Sequence, residues 1–476
     1  TISHYSDTFL TGKHDFKYGV EFERSHVRSQ YGYPGGAYYY DNATYGYSYA
    51  YLGYSYDLKA VNTRASAFVQ DSRQVNDRFT INPGVRVDFN RGSVPGSANI
   101  FRTVPVAPRV GFTFDLTGKK TTVLKAHYGR YFEALFGNYF EPLTPGAYSQ
   151  KDTYFIPTGT PFDHNNPDPA LLVRSEVPKQ VVIDRGLKQP QMDQFIIGLD
   201  HDLGHDFALT GTLIYRKNRN FIETVSKNGD FTKVKGFDPI TSKPVTLFDQ
   251  GNINDTLIIT NPDGIDRDYR AVMLTATKRF NKRWQLIASY VRSRAAGNID
   301  NVDFNTSTSN NNSGQNGGVG AFLDTPNSLV NAKGRLTNDP TNQWKIQGTY
   351  VIPKIEVKVS GNYTWVTGPT WTRVSSCLDQ DPDPNVTDCF NFNQGTVRYF
   401  AEPRGSQRLD ANNNFDFRAE KYFKFNGTEL GVYADIFNVF NKGEDTAVNI
   451  RDGSSFGDTR SFSAPRQWRF GLRYSW

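Results

Sequence analysis

Among its 476 residues the chain has two cysteines and two methionines, and no apolar run reaches the length of a membrane-spanning helix. Such a helix needs about 18–20 consecutive apolar residues, so a helical membrane protein is excluded. A mean hydropathy of -0.57 agrees. A transmembrane β-barrel escapes this test, because every second residue of its strands can be polar. There is also no basic block. The net charge is +6, but Lys and Arg alternate with Asp and Glu along the whole chain. The longest basic cluster, at 216–220, reads as a strand end, so nucleic acid is not an expected partner. Residues 1–30 lack a charged segment followed by an apolar one, so this stretch is not expected to be a signal peptide. The chain opens on Thr1 rather than Met, which reads as a mature or truncated product.

Motifs of catalysis are nearly missing too. GSSFG at 453–457 fits the nucleophile-elbow string with Ser455, but Asp452 precedes it and a polar loop follows, where a strand and a helix are required. His201 and His205 flank a turn without a third metal ligand. Asp379, Asp381, Asp383 and Asp388, or Asp163 and Asp168, supply oxygens in loops but match no calcium-loop spacing, and read as solvated turns. No glycine loop that cradles phosphate occurs. Neither enzyme activity nor a cofactor nor a metal is expected. Cys377 and Cys389 stand twelve apart in a polar loop, as a disulfide in an oxidising compartment or as two free thiols.

What the chain has is aromatics, 27 Tyr and 35 Phe, in strand-like alternation. At the carboxyl end Trp468, Phe470, Leu472, Tyr474 and Trp476 alternate with Gln467, Arg469, Gly471, Arg473 and Ser475. Successive strand side chains point to opposite faces, so this is a strand with one greasy and one wet face. The same period recurs at 14–23, 65–71, 79–89, 107–116, 121–132, 194–203, 207–216, 269–280, 284–293, 344–352, 355–365, 415–425 and 428–440, and an incoming strand is expected at 1–10 before a tight turn at 11–13. Pro83 is awkward at a central hydrogen-bonded position. Asn426–Gly427 suits a two-residue hairpin turn.

Short turns and long connections alternate strictly, and that asymmetry marks bacterial outer-membrane barrels, with short periplasmic turns and long extracellular loops. The long connections include a tyrosine-rich stretch at 31–57 and an Asn/Ser/Gly-rich one at 297–340 with nothing to bury. The expected fold is all-β, a transmembrane antiparallel up-and-down β-barrel with about fifteen strands present. An odd count, the missing signal peptide and an abrupt start imply that amino-terminal strands are absent from this chain, and a further strand within the tyrosine-rich stretch is the competing explanation for the parity. The terminal strand is expected to pair along 427–440 and to lack its barrel-closing neighbour.

Stretches 67–89, 107–132, 189–204, 274–293, 417–425, 431–442 and 465–476 together resemble the TonB-dependent outer-membrane receptors, specifically the Oar-like branch. The resemblance implies a barrel of 22 strands plugged by an amino-terminal domain. Residues 1–476 would be the carboxyl-terminal part of its wall, with plug and first strands missing. It also implies energy-coupled uptake of a bulky solute (siderophore, glycan, cobalamin or peptide), through a TonB complex that acts on the plug. A passive porin or a surface adhesin is the alternative, and a secreted glycan-binding β-protein a third.

The polar edges place Arg86, Asp88, Asp416, Arg418, Glu420, Asp435, Arg469 and Arg473 toward a lumen, as ion pairs that hold the wall or as a solute path. The apolar edge of the closing strand should meet outer-membrane lipid. Tyr38, Tyr39, Tyr40, Tyr47 and Tyr49 are the candidate contacts for an extracellular solute, since tyrosine offers a stacking face and a hydroxyl. Trp365 and Trp371 either join them or belong to the interface girdle.

Overall fold

The computed structural model describes every residue except 8, 136, 147, 301–322, 338, 378–391, 396 and 426. Its main sheet has 17 strands, two of which, Ser97–Thr103 and Gly334–Arg335, are short additions. The other fifteen form one antiparallel ladder in chain order. The first six are β1 (Ile2–Ser6), β2 (Lys13–Tyr31), β3 (Tyr56–Gln74), β4 (Phe79–Val94), β5 (Val106–Asp115) and β6 (Thr122–Phe132). Then come β7 (Gln191–Gly204), β8 (Phe207–Arg219), β9 (Arg267–Asn281), β10 (Trp284–Gly297), β11 (Asn342–Ile352) and β12 (Val357–Val366). The last three are β13 (Asn412–Phe425), β14 (Thr428–Phe437) and β15 (Gln467–Ser475). Each pairs with its neighbours in sequence, an up-and-down meander.

Register carries one apolar face across the whole wall. Phe22 stands opposite Ala65, and Ala65 opposite Phe89. Further along, Leu124 faces Leu199, Tyr290 faces Trp344, and Ile436 faces Trp468. Because the side-chain period is two, a slip of one residue anywhere would turn a strand's apolar set to the wrong side. Phe470, Leu472 and Trp476 are 74%, 73% and 92% exposed, so nothing within the chain covers this face at β15. Among the described residues β1 pairs only with β2 and β15 only with β14.

Pro83 departs from expectation, because β4 runs straight through it. Register on β3 is unbroken on either side, with Gln70 opposite Gly84 and Arg73 opposite Ile81, while the rungs between are missing. The ladder yields locally to the missing N–H, and Pro83 still pairs on its other side with Val110. The short turns follow local chemistry. At 116–121 the Asp115 carboxylate accepts from the backbone N–H groups of Thr117, Gly118 and Lys120, and Gly118 takes a positive φ.

The long connections gather at the other end, and they are not bare loops. Among the described residues six small sheets are built within them, over four clusters of buried apolar side chains. Strands β2 and β3, of 19 residues each, exceed the roughly 9–11 needed to cross a bilayer and run on into this layer. The expectation that 297–340 has nothing to bury fails at its flanks: Ile299, Leu323, Ala332 and Leu336 are buried. So few apolar residues in a polar stretch suffice because three of them, Ile299, Leu323 and Ala332, find partners on other connections, such as Val374, Phe400 and Ile450.

Candidate functional site

Within the 31–57 connection, Ala37–Asn42 and Tyr47–Leu52 form a hairpin that joins Lys151–Pro157 and Leu172–Glu176 in a four-stranded sheet. Tyr38 lies opposite Tyr51, Tyr40 opposite Tyr49, and Asn42 opposite Tyr47. Four of the five expected tyrosines therefore share one face. Tyr39 is on the other, where its hydroxyl is 3.1 Å from His164 Nδ1 and its ring meets Phe162 edge-on. That second face also carries Ala50, Tyr154 and Ile156, buried with Leu52, Phe162 and Leu171.

The tyrosine face has no such cover. Tyr38 and Tyr40 are 39% and 48% exposed. Rings stack along it, Tyr33 on Tyr38 at 5.0 Å and Tyr38 on Tyr51 at 5.5 Å, while Phe155 sits 5.4 Å from Tyr47 and 5.5 Å from Tyr49. Burial and neighbouring phenols push Tyr51 up, so its hydroxyl stays protonated and able to donate. Stacked rings and hydroxyls suit a ligand with flat or polyhydroxylated faces. Tyr51 was not among the sequence candidates, although it continues the two-residue spacing of Tyr47 and Tyr49. Phe155 comes from a connection a hundred residues away, where local pattern says nothing of the contact.

The tryptophans separate. Trp365 stands opposite Trp344 on the apolar face of the wall, away from the tyrosines. Trp371 is half-buried in the connection layer, packed on the cluster of Val374, Phe400 and Ile450. Neither adjoins the tyrosine sheet.

On the polar face, the expected residues pair with one another. Arg418 Nε and Nη2 donate to Asp435 at 2.6 and 3.1 Å, and Arg469 Nε donates to the same carboxylate at 2.8 Å. All three are consecutive rungs of β13, β14 and β15. Tyr433 lies between the arginines, with the Arg418 guanidinium 4.7 Å above its ring. Its ring fills the space where Gly471 has no side chain. Glu420 accepts from the Tyr422 hydroxyl at 2.6 Å and lies 3.6 Å from Lys358. Arg473, opposite Gly431, borders Tyr422. Asp416 accepts from Asn414 Nδ2 and the Asn438 N–H. At the other side of the wall Arg86 donates to Asp88, Glu21 and Ser66.

The connection layer has a knot that sequence does not announce. Arg373, 8% exposed, donates to Asp238 at 2.5 Å and to Asp452 at 2.8 Å, tying together the β12–β13, β8–β9 and β14–β15 connections. Burial pushes the Asp452 carboxyl up despite that arginine. Burial also opposes the charge of Asp238, but Arg373 and the Thr241 N–H hold it below the usual range. Near Thr224, burial pushes Asp324 up to about 6.

Among the described residues no group of three His, Cys, Asp or Glu side chains is placed to hold a metal. His201 Nδ1 is 2.8 Å from the Thr122 hydroxyl, and Ser455 accepts from Asn449. Asp163 and Asp168 accept backbone N–H groups within their own turns. Cys389, and with it the expected Cys377–Cys389 pairing, lies outside the described residues, as do Asp379, Asp381, Asp383 and Asp388.

Residues 97–371, more than half of the sequence, match the family described as outer membrane beta barrel domain. The chain belongs to the outer membrane β-barrel family. This places it in the outer membrane, among proteins whose walls are strand meanders of the kind described above. A TonB-dependent transporter, Oar of Myxococcus xanthus, is 22% identical over 494 aligned positions, covering 88% of this chain and 43% of that protein. Among solved structures, the outer membrane transporter YddB from Escherichia coli superposes with a TM-score of 0.54 at 12% identity, over 98% of this chain and 52% of that one. The siderophore receptor PiuA from Acinetobacter baumannii gives 0.50 at 11%, over 99% and 54%. These two likenesses are of fold. The chain spans about half the length of the proteins it matches, or less. As a β-barrel family member whose sequence relative is Oar, it bears out the resemblance drawn from the strand sequences.

Proposed function

We propose that residues 1–476 serve as wall and solute-gathering connections of a TonB-dependent outer-membrane receptor. In this reading the apolar face, including Trp468, Phe470, Leu472, Tyr474 and Trp476, meets lipid, and the long connections are extracellular. Plug and first strands lie outside this chain, and a TonB complex acts through that plug on the full protein. The bulky solute first meets the tyrosine sheet at Tyr38, Tyr40, Tyr47 and Tyr49. The ion pairs around Asp435 and Arg86 hold the wall, since each charge in them already has a partner.

The observation that carries this reading is the likeness to a TonB-dependent transporter over 88% of the chain, on a wall whose long connections carry small sheets, one of them faced with tyrosines. A passive porin or an adhesin would share the wall and the tyrosines but not the coupling. The test is binding of the full reading frame, folded in detergent, to the periplasmic domain of TonB. Binding through a segment amino-terminal to residue 1 is the expected result. A reading frame without such a segment, and without binding, would return the protein to the porin or adhesin reading.

A further inference from the structure

Toward the long-connection end, the apolar face changes character on β9 and β10. Val272, Leu274 and Tyr290 give way to Arg270, Arg292 and Arg294. Arg270 stands directly opposite Arg294, and Val272 opposite Arg292. Side chains so placed have Cβ atoms about 4.5–5.5 Å apart, and like charges there repel. Arg270 has one carboxylate, Asp268, at 3.2 Å from its Nε. Among the described residues Arg292 and Arg294 have no carboxylate within ion-pair distance, and both are exposed. The next arginine, Arg335, is already taken by Asp339 at 2.5 Å.

A groove of about 560 Å³ joins these three arginines to Phe195, Leu213 and Tyr215 on the neighbouring strands. Its lower wall is apolar and continuous with the belt that runs around the sheet. Its upper wall is cationic. Beside it Tyr290 stacks on Trp344 at 4.4 Å and donates from its hydroxyl to Asn342, an amphipathic pair of the kind that settles at the boundary between hydrocarbon and headgroup.

We propose that this groove docks an anionic membrane lipid, its phosphate between Arg270, Arg292 and Arg294 and its acyl chains on Phe195, Leu213 and Val272. The proposal rests on the membrane reading given above. Guanidinium groups grip phosphate oxygens in pairs, and a phosphate between Arg270 and Arg294 turns their repulsion into two attractions. A free phosphate ion would meet the same arginines but leave the apolar half of the groove unused, which is why the occupant is a lipid.

The test uses the full chain, folded in a neutral detergent and examined by native mass spectrometry. The probes are a bis-phosphorylated lipid A, its dephosphorylated form, and inorganic phosphate. Retention of the phosphorylated lipid should fall on the order of tenfold in the Arg292→Gln/Arg294→Gln double variant. It should not fall in Arg283→Gln, whose arginine pairs with Glu356 beside a short turn. Equal retention of both lipids, an unaffected double variant, or displacement by equimolar inorganic phosphate would each overturn the proposal. A chain that stays soluble without detergent would instead remove the membrane reading beneath it. Folding of each variant is read separately from the mobility shift between unheated and boiled samples.

Discussion

Replacing Gly471 with alanine should destabilise the wall, although the backbone there is extended and alanine fits it. In a strand, alanine is favoured over glycine by about 0.5–1 kcal/mol, because it loses less freedom on folding. Here the added Cβ would lie 2.2 Å from Tyr433 Cζ and 2.3 Å from its hydroxyl oxygen, so the ring must leave. Overpacking of this kind costs about 1–3 kcal/mol. Displacing the ring from under Arg418 forfeits about a further 0.5–1 kcal/mol. The net expectation is a loss of about 1–3 kcal/mol. In a Tyr433→Ala background the obstacle is gone, and Gly471→Ala should then stabilise by about 0.5–1 kcal/mol. The change of sign between backgrounds is the decisive feature. Urea unfolding of the four proteins in lipid vesicles, followed by tryptophan fluorescence, completes the double-mutant cycle. Equal effects in both backgrounds would refute the steric account.

Three further outcomes follow from the described contacts. Asp435→Ala strands Arg418 and Arg469, and because both arginines are partly exposed its cost should be about 2 kcal/mol, below the range for fully buried pairs; the same urea titration reads it, with Asp435→Asn milder. Asp324 binds its proton more tightly in the folded protein than in the unfolded chain, so local stability should decline as pH rises from about 4 through about 6, by at most about 3 kcal/mol. Hydrogen exchange at Leu323 and Asn327 across that window checks the sign, and Asp324→Asn should flatten the response. Arg373→Leu leaves Asp238 and Asp452 buried without their cation, so limited proteolysis should open the three connections that Arg373 joins while the heat-modifiable wall persists; unchanged cleavage would mean that the apolar clusters alone hold the layer.

The wall was legible from sequence because one face of each strand is mainly apolar along its middle, and period-two alternation from Phe16 to Trp476 is a direct imprint of that constraint. Alternation has nothing to say where a polar pair sits on the apolar face. His14 and Asp71 do so, 2.7 Å apart beneath Phe9 and Phe16. Their mutual hydrogen bond, not hydrophobicity, fits them there. The tyrosine sheet was half legible. Tyr38, Tyr40, Tyr47 and Tyr49 share a face as their spacing allows, but Tyr39 falls on the other side for the same reason. Arg373 was not legible at all, since its two partners lie 135 and 79 residues away in connections without periodicity. The buried flanks of the 297–340 stretch were misread because composition averages over residues, whereas packing needs only a few of them in the right places.

The separate cores of the connection layer bear on how such a protein changes over generations. A loop that owes its shape to the strand ends can alter only residue by residue, each change constrained by the wall. Two connections that share a sheet and cluster of their own, as 31–57 and 133–190 do through Ala50, Tyr154 and Ile156, can be exchanged together for a pair of similar footprint. The staves would not register the exchange, because their register is set by neighbours in the ladder. Inheritance can then proceed at two speeds, with a wall conserved in pattern and a crown that is replaced by modules.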